Sequence, residues 1–201
     1  MTPVHHDFHR HLIAFLWLAW ALYWAICALR NKATRRSESI GSRLSYLLPL
    51  IVGGVLIAWR DLPLPGLNLR LWPRPVTVYW IGVAILAAGL AFAVWARVHL
   101  GRNWSGSVTV KEGHELIRSG PYATVRHPIY TGLLAAVLGT VIVSDTVRAL
   151  IGLALIAAAL VVKLSTEEGF MRETFPGQYQ RYSAEVPALI PFTKPRRSAP
   201  R

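Results

Sequence analysis

From residue 76 to residue 96 the chain runs without a single charged side chain, and four further stretches are nearly as apolar. A run of that kind limits the fold sharply. Crossing a bilayer core of about 30 Å takes roughly 20 apolar helical residues, and only a helix or a closed barrel satisfies its own backbone in lipid. Residues 12–29 and 44–59 also carry no charge, whereas 129–143 and 149–162 are shorter. The last two are separated only by residues 144–148, so they read as one tight helical hairpin whose ends reach into the interface. The prediction is a single all-α integral-membrane domain over residues 1–201, with five transmembrane helices and the free ends of spans four and five side by side.

Composition agrees. The chain is 53% hydrophobic and 16% charged, which excludes a disordered or highly solvated protein. Its 22 Lys and Arg against 10 Asp and Glu give a net charge of +12, but the basic residues lie between apolar runs rather than on one polar surface. That distribution points to membrane topology and membrane lipids, with no nucleic acid as partner. Cys27 is the only cysteine, so neither an internal disulfide nor a cysteine-based zinc site is expected.

Lys and Arg accumulate on the cytoplasmic side of a membrane protein. With the N-terminus outside, the inward segments hold 17 of them and the outward segments 5. A multi-pass protein with N-terminus outside and C-terminus cytoplasmic follows, in the cytoplasmic membrane if the source is bacterial. The first span lacks a basic n-region and a small-x-small cleavage pattern, and reads as a retained helix. Residues 62–75, with Pro63, Pro65, Pro73 and Pro75, read as a stiff outer loop, and 194–201 as a basic tail near anionic headgroups.

Polar side chains collect in residues 113–130 and 167–182, both cytoplasmic by the charge distribution and flanking the hairpin. The hairpin therefore brings Arg126, His127 and Tyr130 toward Lys163, Glu167 and Glu168. Pro128 suits the first turn of a helix and places His127 at its cap, leaving backbone N–H groups free to receive a small carboxylate. Gly120-Pro121 makes a turn, and Tyr122 and Tyr130 offer flat faces with hydroxyl handles. Leu164, Glu168, Met171 and Phe175 share one helical face, so the Glu168 carboxylate lies on an apolar side and requires a cation. Arg126, Lys163 or a ligand's ammonium or sulfonium can provide it. Gly169 suggests a close approach to the backbone or a bend. An interfacial ion network anchoring the hairpin accounts for the same residues without any ligand.

Elsewhere, Trp17, Trp20 and Trp24 form a stripe that reads as packing, and Asp145 and Arg148 read as a pair or cap at the hairpin tip. The cluster His5, His6, Asp7, His9 and His11 has the spacing of ligand atoms at a chain end, but no metal site is assigned there.

These motifs together resemble the integral-membrane methyltransferases that include isoprenylcysteine carboxyl methyltransferase and the phospholipid N-methyltransferases. The resemblance covers roughly residues 100–192. It runs through His114-x-Leu116, Gly120-Pro121-Tyr122, Arg126-His127-Pro128-x-Tyr130-x-Gly132, the hairpin, Glu167-Glu168, Tyr179, Tyr182, Val186-Pro187 and Ile190-Pro191. It implies a cytosol-facing pocket for S-adenosylmethionine and a lipophilic small-molecule or lipid substrate entering between helices. Cofactor contacts would come from His114, Glu115, Leu116, Ile117, Gly120, Tyr122, His127, Pro128, Ile129, Tyr130 and Glu168. Arg126, His127 and Glu167 would carry the catalytic roles, and Lys163 and Arg126 would meet the substrate. Where the eukaryotic prenylcysteine enzymes have an arginine for the substrate carboxylate, this chain has Leu164 beside Lys163, so carboxyl, amine and thiol acceptors all stay open. The rival readings are a sterol-type membrane reductase using a nicotinamide cofactor and a non-enzymatic carrier on the same scaffold.

Overall fold

The structure is a computed structural model that describes residues 3–28, 34–59, 66–73, 75–101, 104, 109–111 and 115–193, with side chains of the first helix described from His11 onward. The side chains of His5, His6, Asp7 and His9, and the whole of His114 and the basic tail, lie outside the described residues.

The apolar runs form α1 (Pro3–Ala28), α2 (Ile40–Ala58), α3 (Val76–Leu100), α4 (Pro128–Ser144) and α5 (Val147–Thr174), followed by the short α6 (Gln178–Glu185). Four of these helices are long and apolar enough to cross a membrane, and α4, at 17 residues, falls just short. Large apolar side chains point outward along them, among them Phe15, Leu18, Leu48, Trp80, Ile81, Leu138 and Leu150. A helix apolar on its outer face requires lipid there, so the chain is a multi-pass membrane protein. One feature departs from a purely helical reading: strands β1 (Thr34–Ser37) and β2 (Thr109–Lys111) pair antiparallel, tying the connector before α2 to the one after α3.

Helix packing rests on small residues. A Cβ at Gly89 would lie 2.5 Å from the backbone of Gly132 and Ala136, and one at Gly139 would lie 2.5 Å from Gly82 and Leu86. Helices α3 and α4 therefore touch backbone to backbone, the arrangement that substitutes for a hydrophobic driving force in lipid. Gly53 and Gly152 make the same kind of approach between α2 and α5.

The hairpin turn is as short as predicted. Asp145, fully buried and left-handed at φ 52°, caps α4, and Thr146 precedes α5. The loop over residues 66–73 seals this tip: Leu71 N–H donates to Asp145 O at 2.8 Å, and Arg148 N–H to Leu67 O at 2.9 Å. Arg148 Nε donates to Asn68 at 2.9 Å, and its Nη1 reaches the last carbonyls of α2. Arg148 thus fastens α5 to α2 and the loop as well as stabilising the turn.

Between α1, α2, α4 and α5 lies a cavity of about 880 Å³, lined by Trp17, Trp20, Leu50, Leu133, Val137 and Leu160 among others. The tryptophan stripe, read as packing, stacks on itself, with Trp20 and Trp24 at 4.6 Å, and Trp17 and Trp20 also form a wall of this cavity. Trp17 reaches across to donate to Thr140 Oγ1 on α4 at 3.1 Å.

Candidate active site

At the end of the hairpin opposite its turn, the two polar clusters meet. His127 is the N-cap of α4 and Pro128 its first residue, as Pro's fixed φ and missing N–H favour. Helix α5 continues three turns past its apolar run and carries Glu167 and Glu168 back toward that cap. Arg126 Nε donates to Glu168 Oε1 at 2.9 Å and Nη2 to the same oxygen at 2.5 Å. His127 Nε2 lies 3.3 Å from that oxygen, and its Nδ1 lies 3.6 Å from Glu167 Oε2. Tyr130, whose ring stacks on His127 at 5.6 Å, donates its hydroxyl to Glu167. Lys163 Nζ completes the group, 5.6 Å from the Tyr130 ring and 5.4 Å from the ring of Tyr46 on α2.

The carboxylates differ in their partners. Glu168, on the buried side of α5, is matched by Arg126 and, through Oε2 at 2.8 Å, by Arg172 one turn on. Glu167 is held by a phenol and an imidazole. Burial pulls the pKa of His127 down, but the hydrogen bonds and charges of Glu167 and Glu168 outweigh it and hold the pKa above its ordinary value.

Behind this cluster the chain after α6 pairs with the entrance to α4. Arg126 N–H donates to Pro187 O at 2.9 Å, His127 N–H to Ala188 O at 3.0 Å, and Thr131 Oγ1 to Leu189 O at 2.7 Å. Arg126 Nη1 caps the end of α6 through the carbonyls of Ser183 and Val186. A 3-10 turn over Gly120–Ala123 sets Tyr122 beneath Tyr182, whose hydroxyl donates to Tyr122 O at 2.6 Å. Gly120 has φ 58°, and a Cβ there would fall 2.7 Å from the ring of His99, which stacks near Tyr122. Only glycine fits that corner. Burial raises the pKa of Tyr122, Tyr179 and Tyr182, keeping these phenols neutral.

Of the residues singled out in the sequence, Arg126, His127, Tyr130, Lys163, Glu167 and Glu168 are gathered here, with Pro128 and Ile129 buried directly behind them. Tyr122 and Gly120 stand one layer away, Ile117 packs on the core cluster that includes Tyr122, Leu116 is half-buried, and Glu115 is exposed. Leu164 packs into the same core. The close approach suggested for Gly169 is not found: nothing lies within 4 Å of where its Cβ would be. Arg172, Tyr46, His99 and the strand-like run 187–189 are additions. Arg172 follows Glu168 at the i,i+4 spacing that favours an ion pair. Tyr46 and His99 come from segments distant in sequence and carry no local signal, whereas residues 187–189 fall at the Val186-Pro187 and Ile190-Pro191 motifs.

The arrangement suits a cationic, aromatic ligand: two carboxylates, an imidazole and phenols surround the first turn of α4, where Ile129 and Tyr130 N–H groups have no intrahelical acceptor.

The isoprenylcysteine carboxyl methyltransferase (ICMT) family matches residues 80–173, from α3 to the end of α5. The chain is similar to protein-S-isoprenylcysteine O-methyltransferase B of Arabidopsis thaliana, at 26% identity over 150 residues, covering 73% of this chain and 74% of that protein. It is 29% identical to the cobalt-zinc-cadmium resistance protein CzcN of Cupriavidus metallidurans over 56% of this chain and 51% of CzcN. It is 32% identical to the protein-S-isoprenylcysteine O-methyltransferase of Schizosaccharomyces pombe over 48% of this chain and 42% of the relative. The chain thus spans about half the length or less of the last two. With the helical membrane architecture and the buried Arg126–Glu168 junction, this match makes the chain similar, over residues 80–173, to the isoprenylcysteine carboxyl methyltransferase family of integral-membrane methyltransferases.

Proposed function

We propose that the protein transfers the methyl group of S-adenosylmethionine to a single-tailed lipophile with an anionic head, at the cytosolic face of its membrane. The observation that carries this reading is the placement of Tyr130 and Lys163 one helical turn from Leu133 and Leu160, which line the apolar cavity, with His127 and Glu167 in the next turn. A tail in that cavity would leave its head at the cluster. The excess of Lys and Arg on this side supports a cytosolic location.

Glu167 and Tyr130 would hold the cofactor's positive portion, His127 and the free N–H groups at the start of α4 its carboxylate, and Tyr122 with His99 would flank its base. When bound, S-adenosylmethionine supplies a methyl group already activated by the sulfonium, so the protein's task is alignment and exclusion of water. Lys163 would orient the anionic head in place of an arginine at the Leu164 position, because Leu164 packs into the core. A carboxylate acceptor needs no base, which matches a cluster whose imidazole lies against two carboxylates that raise its pKa. In this reading Glu168 acts through Arg126 and His127: with two guanidiniums on it, its task is to hold the cap of α4 and the end of α6 in place.

The test is methyl-label transfer from S-adenosylmethionine by the full chain in nanodiscs, offered isoprenoid thioethers ending in carboxylate, amine or thiol, and membrane lipid fractions. Label is expected in a base-labile methyl ester of the carboxylate. Label only in amine or thiol would refute the acceptor assignment, and absence of label from every acceptor would refute the enzymatic reading.

A further inference from the structure

The methyltransferase match begins at residue 80, yet one member of the polar cluster comes from α2, outside it. Tyr46 is 4% exposed, its hydroxyl donates to Glu38, and its ring lies 5.4 Å from Lys163 Nζ, which is also 5.6 Å from the Tyr130 ring. Ser42 Oγ donates to the other oxygen of Glu38 at 2.9 Å, so the carboxylate is gripped from both sides at the start of α2. An ammonium between two phenol faces within about 6 Å is attracted by both.

Register along the helices gives this clamp a position. Leu50 lies one turn beyond Tyr46, Leu133 one turn beyond Tyr130, and Leu160 one turn before Lys163, and all three leucines line the apolar cavity. Tyr46, Tyr130 and Lys163 therefore form one layer directly beyond the cavity's inner end. A lipophile whose tail fills the cavity meets this layer with its head, and the cation it meets is set by a residue of α2.

We infer that Tyr46, held by Glu38, is a positioning and specificity-determining residue that keeps the Lys163 ammonium at the cavity's inner end and so selects acceptors with an anionic head. The inference rests on the acceptor placement proposed above and is tested by binding, apart from catalysis.

The full chain in nanodiscs of zwitterionic lipid is titrated with a radiolabelled farnesyl thioether carboxylate and with its primary amide, empty nanodiscs being subtracted. The wild type is expected to prefer the carboxylate by about tenfold. Tyr46→Leu and Lys163→Gln are expected to bring the two ligands within about twofold, while Tyr46→Phe, which keeps the ring and loses the Glu38 bond, retains an intermediate preference of about threefold. S-adenosylhomocysteine affinity is expected to stay unchanged in Tyr46→Phe and Tyr46→Leu. Should Tyr46→Leu fail to fold, Glu38→Gln carries the test, with an expected loss of about threefold in preference. Full preference in folded Tyr46→Leu, full preference in Glu38→Gln, or none in the wild type overturns the inference. Absence of S-adenosylhomocysteine binding overturns the enzymatic reading and leaves the head-group result standing.

Discussion

One oxygen of Glu168 receives both Nε and Nη2 of Arg126, joining the residue before the α4 cap to a residue 42 positions later on α5. The two side chains are 9% and 7% exposed, so neither can be rehydrated if the other is removed. Removing one partner of such a pair costs about 3–5 kcal/mol, whereas replacing both with apolar groups of similar volume costs much less. Arg126→Met and Glu168→Met alone are therefore expected to lower thermal stability strongly, and the double variant to recover much of the loss. Melting curves of the three in one detergent check this; equal and additive losses would contradict it.

The glycine seam predicts a contrast. Gly89→Val and Gly139→Val force a side chain into backbone 2.5 Å away, and each is expected to cost about 3 kcal/mol or more, or to abolish folding. Gly169→Ala meets open space within α5 and is expected to stabilise by about 0.5–1 kcal/mol. Thermal unfolding of the purified variants distinguishes these outcomes.

The raised pKa of His127 fixes the sign of a pH effect. Its protonated form is favoured by folding, so its contribution is complete below the ordinary histidine value of about 6.5 and is lost as pH rises through the higher folded value. Stability is expected to fall over the window that opens above about pH 6.5 in the wild type, and that step is expected to be lost in His127→Gln. Melting temperature against pH measures it, and a rise over that window in the wild type would contradict the assignment.

Much of this architecture is legible in the sequence for identifiable reasons. Uncharged runs mark the helices, Pro128 marks the start of α4, and the apolar face shared by Glu168 and Leu164 marks a carboxylate in need of a cation. Other parts are not legible. The apolar run 149–162 does not tell how far α5 extends: the helix continues unbroken through residues 163–174, because Glu167, Glu168 and Arg172 find partners across the site and along the helix. The α3–α4 seam joins Gly82 and Gly89 to Gly139 and Gly132, pairs that only folding brings together. Tyr46 and residues 187–189 reach the site by the same long-range route. Gly169 shows the converse: a glycine whose absent side chain nothing occupies.

The most direct measurement is calorimetric titration of S-adenosylhomocysteine into the full chain in nanodiscs, alongside Glu167→Gln, a near-isosteric change that removes the carboxylate charge beside His127 and Tyr130. Saturable binding by the wild type, weakened about tenfold or more in a Glu167→Gln protein of unchanged helix content, is the predicted result. No binding by the wild type, or equal affinity in the two proteins, would contradict the account.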